Sequence, residues 1–306
     1  MVWILLYGIL CYMFGVSSKQ AQLQLSMDVQ HSFKEETAQS AQNNIHNKLL
    51  RYDNATCGIV FFYHLPSTGG ATINQWLLQY KEESVPYYTM WGGGPRKMQN
   101  DTQTSFINGM NDFILNLTQD QWKVVHAHHN SLHLNQSETL LYQWRSIVES
   151  QGCYMVNAIM LRDALSNTMS KYRYLVRDLG SDNSTTRKEW ISHLHTKSEM
   201  GYFSTQLDYF LYNYLSRNPY KLEKEAKVNR ALQLLRDHFD IVVVGDHNRF
   251  EKELLSITKW EKKTMKRHNT GGDTPFNKSE VELLQRLLQD NGDIDFIYKV
   301  RDVYMA

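Results

Sequence analysis

The chain has 306 residues, with 33 Lys or Arg against 32 Asp or Glu and a formal net charge of +1. It is 42% hydrophobic and 12% aromatic, with only 5 Pro and 16 Gly, which excludes a collagen-like, disordered or coiled-coil protein. The near-zero charge argues against a dedicated nucleic-acid binder, which would carry a basic excess to match phosphate. Three Cys are too few for a disulfide scaffold, and the length suits one large domain or two modest ones.

Residues 1–18 begin with an uncharged, mostly apolar run from Met1 to Val16. A run of about 16 residues lies between the core of a signal peptide and a spanning helix. Three interpretations therefore remain open: an uncleaved signal anchor, a cleaved signal peptide, and a buried N-terminal helix. Either of the first two would place the rest of the chain outside the cytosol.

Sequons of the form Asn-x-Ser/Thr favour export as well, because they accept N-glycans in the secretory pathway. The alternative is chance, since Asn, Ser and Thr are common in this chain. The asparagines concerned are Asn54, Asn100, Asn116, Asn135, Asn183 and Asn277.

The remaining chain divides into a polar stem and one folded domain. Residues 19–56 are rich in Gln, Asn, Ser and charge, with no strong period, and are predicted to be a stem. Residues 57–306 alternate strand-like and helix-like patterns, which predicts an α/β domain with a parallel sheet covered by helices on both faces. The predicted strands are 58–65, 123–128, 154–161 and 240–245, and the predicted helices are 71–80, 137–149, 164–176, 203–215, 222–237, 279–289 (with Ser279 as N-cap) and 293–303.

Cys57 and Cys153 each stand immediately before a predicted strand. Parallel strands begin at the same edge of a sheet, so the two sulfurs could meet if these strands are neighbours. An oxidising compartment would then favour a disulfide. Two buried free thiols are the alternative.

The turn after the first strand has the composition of an anion site. The segment 61–72 reads Phe-Phe-Tyr-His-Leu-Pro-Ser-Thr-Gly-Gly-Ala-Thr, a buried strand that enters a Thr-Gly-Gly turn and then a helix. The glycines allow close approach of the backbone, and the first N–H groups of the helix suit a phosphate or sulfate. Thr68 and Thr72 could add hydroxyl donors. This is not a Walker A loop, because G-x-x-x-x-G-K-[ST] is absent; an ordinary strand-to-helix turn is the alternative.

Two further strand ends carry polar side chains. Arg162 ends the strand 154–161, and an Arg fork there can bind a phosphate in a bidentate manner, with Ser170 two turns into the next helix. An Arg–Asp surface pair is the alternative. At the end of the strand 123–128, a period of two puts His126 and His128 on one face. A histidine is suited to act as a base near neutral pH. A metal site would use both with His133, and a structural role is also open.

The segment 64–72 resembles the 5′-phosphosulfate loop of Golgi carbohydrate sulfotransferases, similar to the heparan sulfate 2-O- and 6-O-sulfotransferases. Their motif is His-x-Pro-Lys-Thr-Gly-Gly-Thr/Ser, and only its lysine departs here, since position 67 is Ser. The matching residues are His64, Pro66, Thr68, Gly69, Gly70 and Thr72. The resemblance implies a P-loop-like parallel sheet of the sulfotransferase type and binding of 3′-phosphoadenosine 5′-phosphosulfate.

The resemblance also implies roles for individual residues. The 5′-phosphosulfate would contact Ser67, Thr68, Gly69, Gly70, Ala71 and Thr72. Arg162 and Ser170 would bind the 3′-phosphate, as in the family's Arg-Asp-Pro and Ser motif, although Ala164 replaces the proline. His128 corresponds to the base in a His-Gly-His segment, with His126 or His129 as alternative bases. Lys266 and Arg267 belong to a basic segment that would close over the nucleotide. Gln206 and Asp208 are weaker candidates for contact with the acceptor.

The implied function is sulfuryl transfer to a hydroxyl of a glycosaminoglycan-like glycan or proteoglycan, with no metal and no nucleic acid. The implied location is the Golgi membrane, anchored through the N-terminal segment with a luminal catalytic domain, or outside the cell if that segment is cleaved. Because Ser67 replaces the lysine, another cation such as His64, Arg96, Lys266 or Arg267 would have to reach the leaving phosphate. A catalytically weakened relative that binds a glycan or nucleotide is the alternative, and a P-loop-like kinase is a third, disfavoured by the absent Walker lysine.

Overall fold

A computed structural model of the chain describes residues 51–90, 100–128, 137–179, 183–194, 204–214, 222–266 and 276–305. The chain divides into two compact units, Met1–His46 and Asn47–Ala306, and every described residue belongs to the second. The predicted anchor or signal segment, residues 1–18, lies outside the described residues. No helix within the described ranges is both long enough and apolar enough to cross a membrane.

The centre of the folded unit is a sheet of five parallel strands, β1 (Gly58–His64), β2 (Tyr87–Met90), β3 (Trp122–His128), β4 (Tyr154–Leu161) and β5 (Ile241–Val244). They lie in the order β2-β3-β1-β4-β5. All of β1 is buried, which explains its unbroken apolar sequence. The chain fills one side of β1 with β2 and β3 and then crosses to β4 on the other side. The strand order thus reverses beside β1, where α/β sheets bind their ligands.

Helices cover both faces of this sheet, as predicted. On one face Phe62 of β1 packs against Phe250, with ring centroids 5.5 Å apart, in a cluster that includes Trp76. On the other face Phe61 packs against Trp144 at 5.9 Å. The ten helices of the described residues are α1 (Gly70–Lys81), α2 (Asn100–Leu115), α3 (Ser137–Ser150), α4 (Ala164–Leu179), α5 (Ser184–His193), α6 (Gln206–Tyr214), α7 (Lys224–His238), α8 (His247–Thr258), α9 (Lys278–Asn291) and α10 (Asp293–Tyr304).

The predicted strands and helices are all confirmed, with ends that differ by at most a few residues. The sequence pattern does not indicate β2, α2 or α5. β2 has only four residues, α2 carries Gly109 in its interior, and α5 is mostly polar.

The N-cap predicted for α9 is wrong. Asn277, not Ser279, caps this helix: its side chain accepts a hydrogen bond from the N–H of Glu280, whose carboxylate accepts from the N–H of Asn277. The reciprocal pair satisfies two N–H groups of the first turn, which a Ser at the second helical position could not do.

The amino edge of the sheet is joined by a disulfide between Cys57 and Cys153, with their Cα atoms 5.0 Å apart. The two residues meet because Gly58 at the start of β1 pairs with Tyr154 at the start of β4. The sequence is compatible with either a disulfide or two free thiols, and the structure contains the disulfide.

Residues just before β1 belong to the folded unit. Tyr52 is buried, and Arg51 forms an ion pair with the buried carboxylate of Asp240 at 3.0 Å. Arg145 of α3 pairs with the same carboxylate at 2.5 Å. The last residues of the predicted stem, 19–56, therefore pack into the domain.

Candidate functional site

The glycine loop, defined as residues 65–72, joins β1 to the first turn of α1. Gly69 is the N-cap, with φ of 95° and no side-chain cap bond. The N–H groups of Thr72 and Ile73 donate hydrogen bonds to the carbonyl oxygen of Gly69, at 3.0 and 3.4 Å. Ser67 also has a left-handed φ, 60°. Such a turn brings main-chain N–H groups and the positive end of the helix dipole to one place, which suits an anion.

The threonine hydroxyls of the loop are not open to solvent. The hydroxyl of Thr68 donates to the carbonyl oxygen of Leu65 at 2.9 Å, and the side chain is only 2% exposed. Thr72 is buried to the same extent. The main-chain N–H groups of the loop are therefore better placed to contact a ligand than these hydroxyls.

Two histidines pack against the two glycines of the loop. A Cβ at Gly69 would lie 2.8 Å from Nε2 of His247, and a Cβ at Gly70 would lie 2.2 Å from Nε2 of His64. Both contacts are shorter than a Cβ tolerates. The Gly-Gly pair is thus needed because an imidazole ring lies directly against each glycine.

The predicted phosphate arginine lies against the glycine loop. Nη1 of Arg162, at the end of β4, donates to the carbonyl oxygen of Ser67 at 3.2 Å, and Nδ2 of Asn167 donates to that of Pro66 at 2.9 Å. Burial lowers the pKa of Arg162, and the charge of Arg173 lowers it further, although a guanidinium stays protonated in proteins. The glycine loop and the guanidinium of Arg162 therefore lie together at neighbouring strand ends.

A pocket of ≈ 430 Å³ opens beside Arg162. Ser166 of α4 lines it, whereas the predicted Ser170 lies one turn farther along the helix and is half-buried. His247 and Arg301 also line the pocket, and sequence reasoning missed both. The remaining lining residues are Asp163, Val244, Gly245, Asp246, Asn248 and Met265.

Gln206 is bonded to Arg162 rather than open to an acceptor. Its Oε1 accepts from the N–H of Arg162 at 3.0 Å, its Nε2 donates to the carbonyl oxygen of Arg162 at 3.1 Å, and the residue is 2% exposed. Asp208 is also buried, in an ion pair with Lys227 at 2.9 Å. The expectation that Gln206 and Asp208 touch the acceptor is therefore not supported.

Polar side chains connect β1, β3 and β2. Nδ1 of His64 lies 3.0 Å from Nε2 of His126, and Oγ1 of Thr89 lies 3.1 Å from Nδ1 of His126. His126 is fully buried, so it could not reach an acceptor as an alternative base. His128 pairs with His64 in the register of β1 and β3, at the carboxyl end of the sheet.

The side chain of His128 lies outside what the structure describes, as do His129 and His133, so the predicted base and the open metal interpretation stay predictions. Within the described ranges no three His, Cys, Asp or Glu side chains are grouped to hold a metal ion.

The basic segment after α8 runs along α1. Side chains of α1 donate to its carbonyl oxygens: Nε1 of Trp76 to Lys263 at 3.3 Å and the hydroxyl of Tyr80 to Glu261 at 3.0 Å. Lys266 is exposed and lines a hollow on the outer side of α1, separate from the pocket at Arg162. Arg267 lies outside the described residues.

Comparison with solved structures identifies proteins of similar fold. No protein-family model matches the chain, and no curated protein matches it. The fold is similar to that in the crystal structure of a sulfotransferase from Alicyclobacillus acidocaldarius, with 16% sequence identity and a TM-score of 0.43, over 80% of this chain and 93% of that one. A likeness of this size does not by itself assign an activity.

Proposed function

We propose that this protein transfers a sulfuryl group from 3′-phosphoadenosine 5′-phosphosulfate to a hydroxyl of a glycosaminoglycan-like glycan. The observation that carries the proposal is the hydrogen bond from Arg162 to the carbonyl oxygen of Ser67. It joins an anion-binding turn to a guanidinium at neighbouring strand ends. A nucleotide with phosphate at both its 5′ and 3′ positions can span these two groups, each of which suits one phosphate.

The proposed reaction is an in-line displacement at sulfur. The acceptor oxygen forms a new bond to sulfur while the bond from sulfur to the 5′-phosphate oxygen breaks, and its electron pair stays on 3′-phosphoadenosine 5′-phosphate. The acceptor proton passes to His128. The N–H groups of Thr68 to Ala71 bind the phosphosulfate, because fixed donors at a developing charge lower the barrier without reorganisation.

The 3′-phosphate is assigned to Arg162, with Ser166 and Ser170 as hydroxyl partners on the same helix, α4. Ser166 lines the pocket beside the guanidinium, whereas Ser170 is not among the residues that line it. Lys266 and Arg267 are proposed to approach the nucleotide from the segment that follows α8.

The proposed setting is the lumen of the Golgi or the outside of the cell, with the chain held to the membrane through residues 1–18 if these are not cleaved. Two observations support it. The disulfide between Cys57 and Cys153 would persist in an oxidising compartment. The sequon asparagines whose surroundings are described are all exposed, as N-glycan acceptors must be: Asn54, Asn116, Asn183 and Asn277.

A second candidate is a weakened relative that binds a glycan or a nucleotide without turnover. It is favoured by Ser67, which stands where the resembling family has a lysine. Loss of one transition-state contact of this kind commonly lowers the rate by about 10² or more.

Calorimetry with 3′-phosphoadenosine 5′-phosphate tests both candidates. We expect the parent protein to bind it and Arg162→Ala to bind at least about tenfold more weakly, because a charge-assisted fork is lost. Arg230→Ala, on the solvent side of α7, is the matched control and should bind as the parent does. A parent protein that does not bind the nucleotide contradicts both candidates.

Labelled sulfate transfer to a panel of glycans then separates the two candidates. Turnover that disappears in His128→Ala supports the enzyme and its base. Binding without turnover, with activity gained in Ser67→Lys, supports the weakened relative instead.

A further inference from the structure

The glycine loop has no lysine or arginine of its own. Arg162 contacts it at the carbonyl oxygen of Ser67, and two histidines lie against its glycines. His64 ends β1 and lies against Gly70, and His247 begins α8 and lies against Gly69. In each ring Nε2 is one of the atoms nearest to the glycine, at 2.2 Å and 2.8 Å from the Cβ that the glycine lacks. The two imidazoles therefore flank the turn whose N–H groups suit an anion.

The hydrogen-bond chain behind His64 is compatible with a charged imidazole. If His126 is neutral with its proton on Nδ1, that proton is donated to Oγ1 of Thr89, and its Nε2 can accept. Nδ1 of His64 can then donate to His126, which leaves Nε2 of the same ring, beside Gly70, able to carry the second proton. This is the hydrogen-bond pattern that protonated His64 needs, since both of its nitrogens are then donors.

Other ionisable groups also lie near these two histidines and enter the balance of charge. His126 faces His64 from β3. Arg162 and Asp163 follow β4, Asp246 precedes α8, and Arg301 lies on α10; all four line the pocket that His247 lines. Arg173 adds a third guanidinium, since its charge lowers the pKa of Arg162. Arg162 contacts the loop at the carbonyl oxygen of Ser67, whereas the imidazoles lie against its two glycines.

We propose that His64 and His247 supply the positive charge of the anion site, in place of the lysine absent at position 67. The inference rests on the proposed function, because the ligand is the 5′-phosphate end of the nucleotide. Protonated imidazole binds a phosphate dianion better than neutral imidazole does, so each histidine takes up a proton when the nucleotide binds. Affinity is then highest at the acid end of the working range and falls as the pH rises through the pKa of the bound histidines.

The test is calorimetry with 3′-phosphoadenosine 5′-phosphate between pH 6.5 and 8.5, a range in which phosphate monoesters are mainly dianions because their second pKa is about 6. Each pH is measured in two buffers of different ionisation enthalpy, which gives the number of protons taken up. We expect the affinity of the parent to fall by about tenfold or more over this range, as one unit of histidine pKa shift implies.

Four variants and one control complete the design. His64→Gln, His247→Gln and the double variant should each bind more weakly at pH 6.5, and the double variant should lose proton uptake and pH dependence. Ser67→Lys in the double variant should restore affinity without restoring pH dependence, because lysine stays charged throughout. His193→Gln, on α5, is the control, and circular dichroism with thermal melting shows that each variant folds. If His64→Gln does not fold, His247→Gln alone should lose part of the proton uptake.

The outcomes separate this inference from the proposed function. A parent that binds the nucleotide with no proton uptake, or a double variant with unchanged uptake, overturns the histidine inference and leaves the function standing. A parent that does not bind at any pH overturns the proposed function, and the histidine inference with it.

Discussion

The side chain of Gln206 pairs with the backbone of Arg162 as a neighbouring strand would. Its amide accepts from the N–H of Arg162 and donates to the carbonyl oxygen of the same residue, at 3.0 and 3.1 Å. The arginine is thereby held one residue beyond the end of β4, where its guanidinium reaches the carbonyl oxygen of Ser67. Behind it, Asn291 bonds to Asp208 and fixes the start of α6.

Gln206→Ala should therefore weaken nucleotide binding without touching the ligand. The variant loses two hydrogen bonds of about 1 kcal/mol each. If most of this energy is lost from the free energy of nucleotide binding, the affinity falls about tenfold. Calorimetry with 3′-phosphoadenosine 5′-phosphate measures the effect. Gln233→Ala, at an exposed position of α7, is the control. Equal affinity in the two variants would show that the pairing does not position Arg162.

Gly70→Ala should disrupt the glycine loop, because the new methyl group would lie 2.0 Å from Cδ2 of His64. Overpacking of this kind costs about 1–3 kcal/mol of folding free energy. Denaturant unfolding measures the loss, and nucleotide binding should fall in parallel. Adding His64→Ala removes the ring and should recover part of the stability. A double variant no more stable than Gly70→Ala would contradict the contact.

Removing the disulfide with Cys57→Ser and Cys153→Ser should lower the free energy of unfolding by about 2–5 kcal/mol. The effect falls in the upper part of that range if chain entropy dominates, since the two residues are 96 positions apart. Unfolding in guanidinium, with and without reductant, measures it. Reductant should destabilise the parent and leave the double variant unchanged. Peptide mapping that finds both thiols free in the parent would refute the bond.

Lys171 should make stability depend on pH. Burial lowers its pKa to about 8, an effect that the charges of Asp293 and Asp208 only partly offset. Between that value and the ordinary value near 10.5 the unfolded chain binds more protons than the folded one. This lysine therefore destabilises the fold most below pH 8, and its contribution becomes less unfavourable as the pH rises.

Lys171→Met isolates that contribution, since the other titrating groups are shared with the parent. The free energy of unfolding of the variant, relative to that of the parent, should be higher near pH 7.5 than at pH 9.5. The variant also loses the bond from Nζ to the carbonyl oxygen of Ser204, which sets a constant offset. A difference that does not change with pH would show that the lysine titrates normally.

The sequence predicted that the glycine loop and Arg162 lie together at neighbouring strand ends, because buried apolar runs predict parallel strands and ligands bind after such strands. The structure has them together, while their roles in binding stay predictions. The same rule could have found His247, which follows β5 by a few residues. Arg301 could not be found, since it lies on the last helix and reaches the pocket only through packing.

Burial explains why some polar residues that the sequence suggested as ligand contacts do not face a ligand site. Gln206, Asp208 and the hydroxyl of Thr68 have the composition of ligand-binding groups, yet each is buried and bonded inside the protein. A polar side chain in a linear sequence does not reveal whether water or a main-chain partner satisfies it. β2 was missed because a strand of four residues gives too short a pattern.

The pairing of Arg51 and Arg145 with Asp240 has a practical consequence for truncation. The carboxylate of Asp240 is fully buried. A fragment that begins at Cys57 would lack Arg51, one of the two cations that pair with this carboxylate, and it would lack Tyr52, whose side chain is buried in the domain. Such a fragment should be less stable than the whole domain, although Arg145 still pairs with the carboxylate. Recombinant forms that omit the N-terminal segment should therefore retain everything from Asn47 onward.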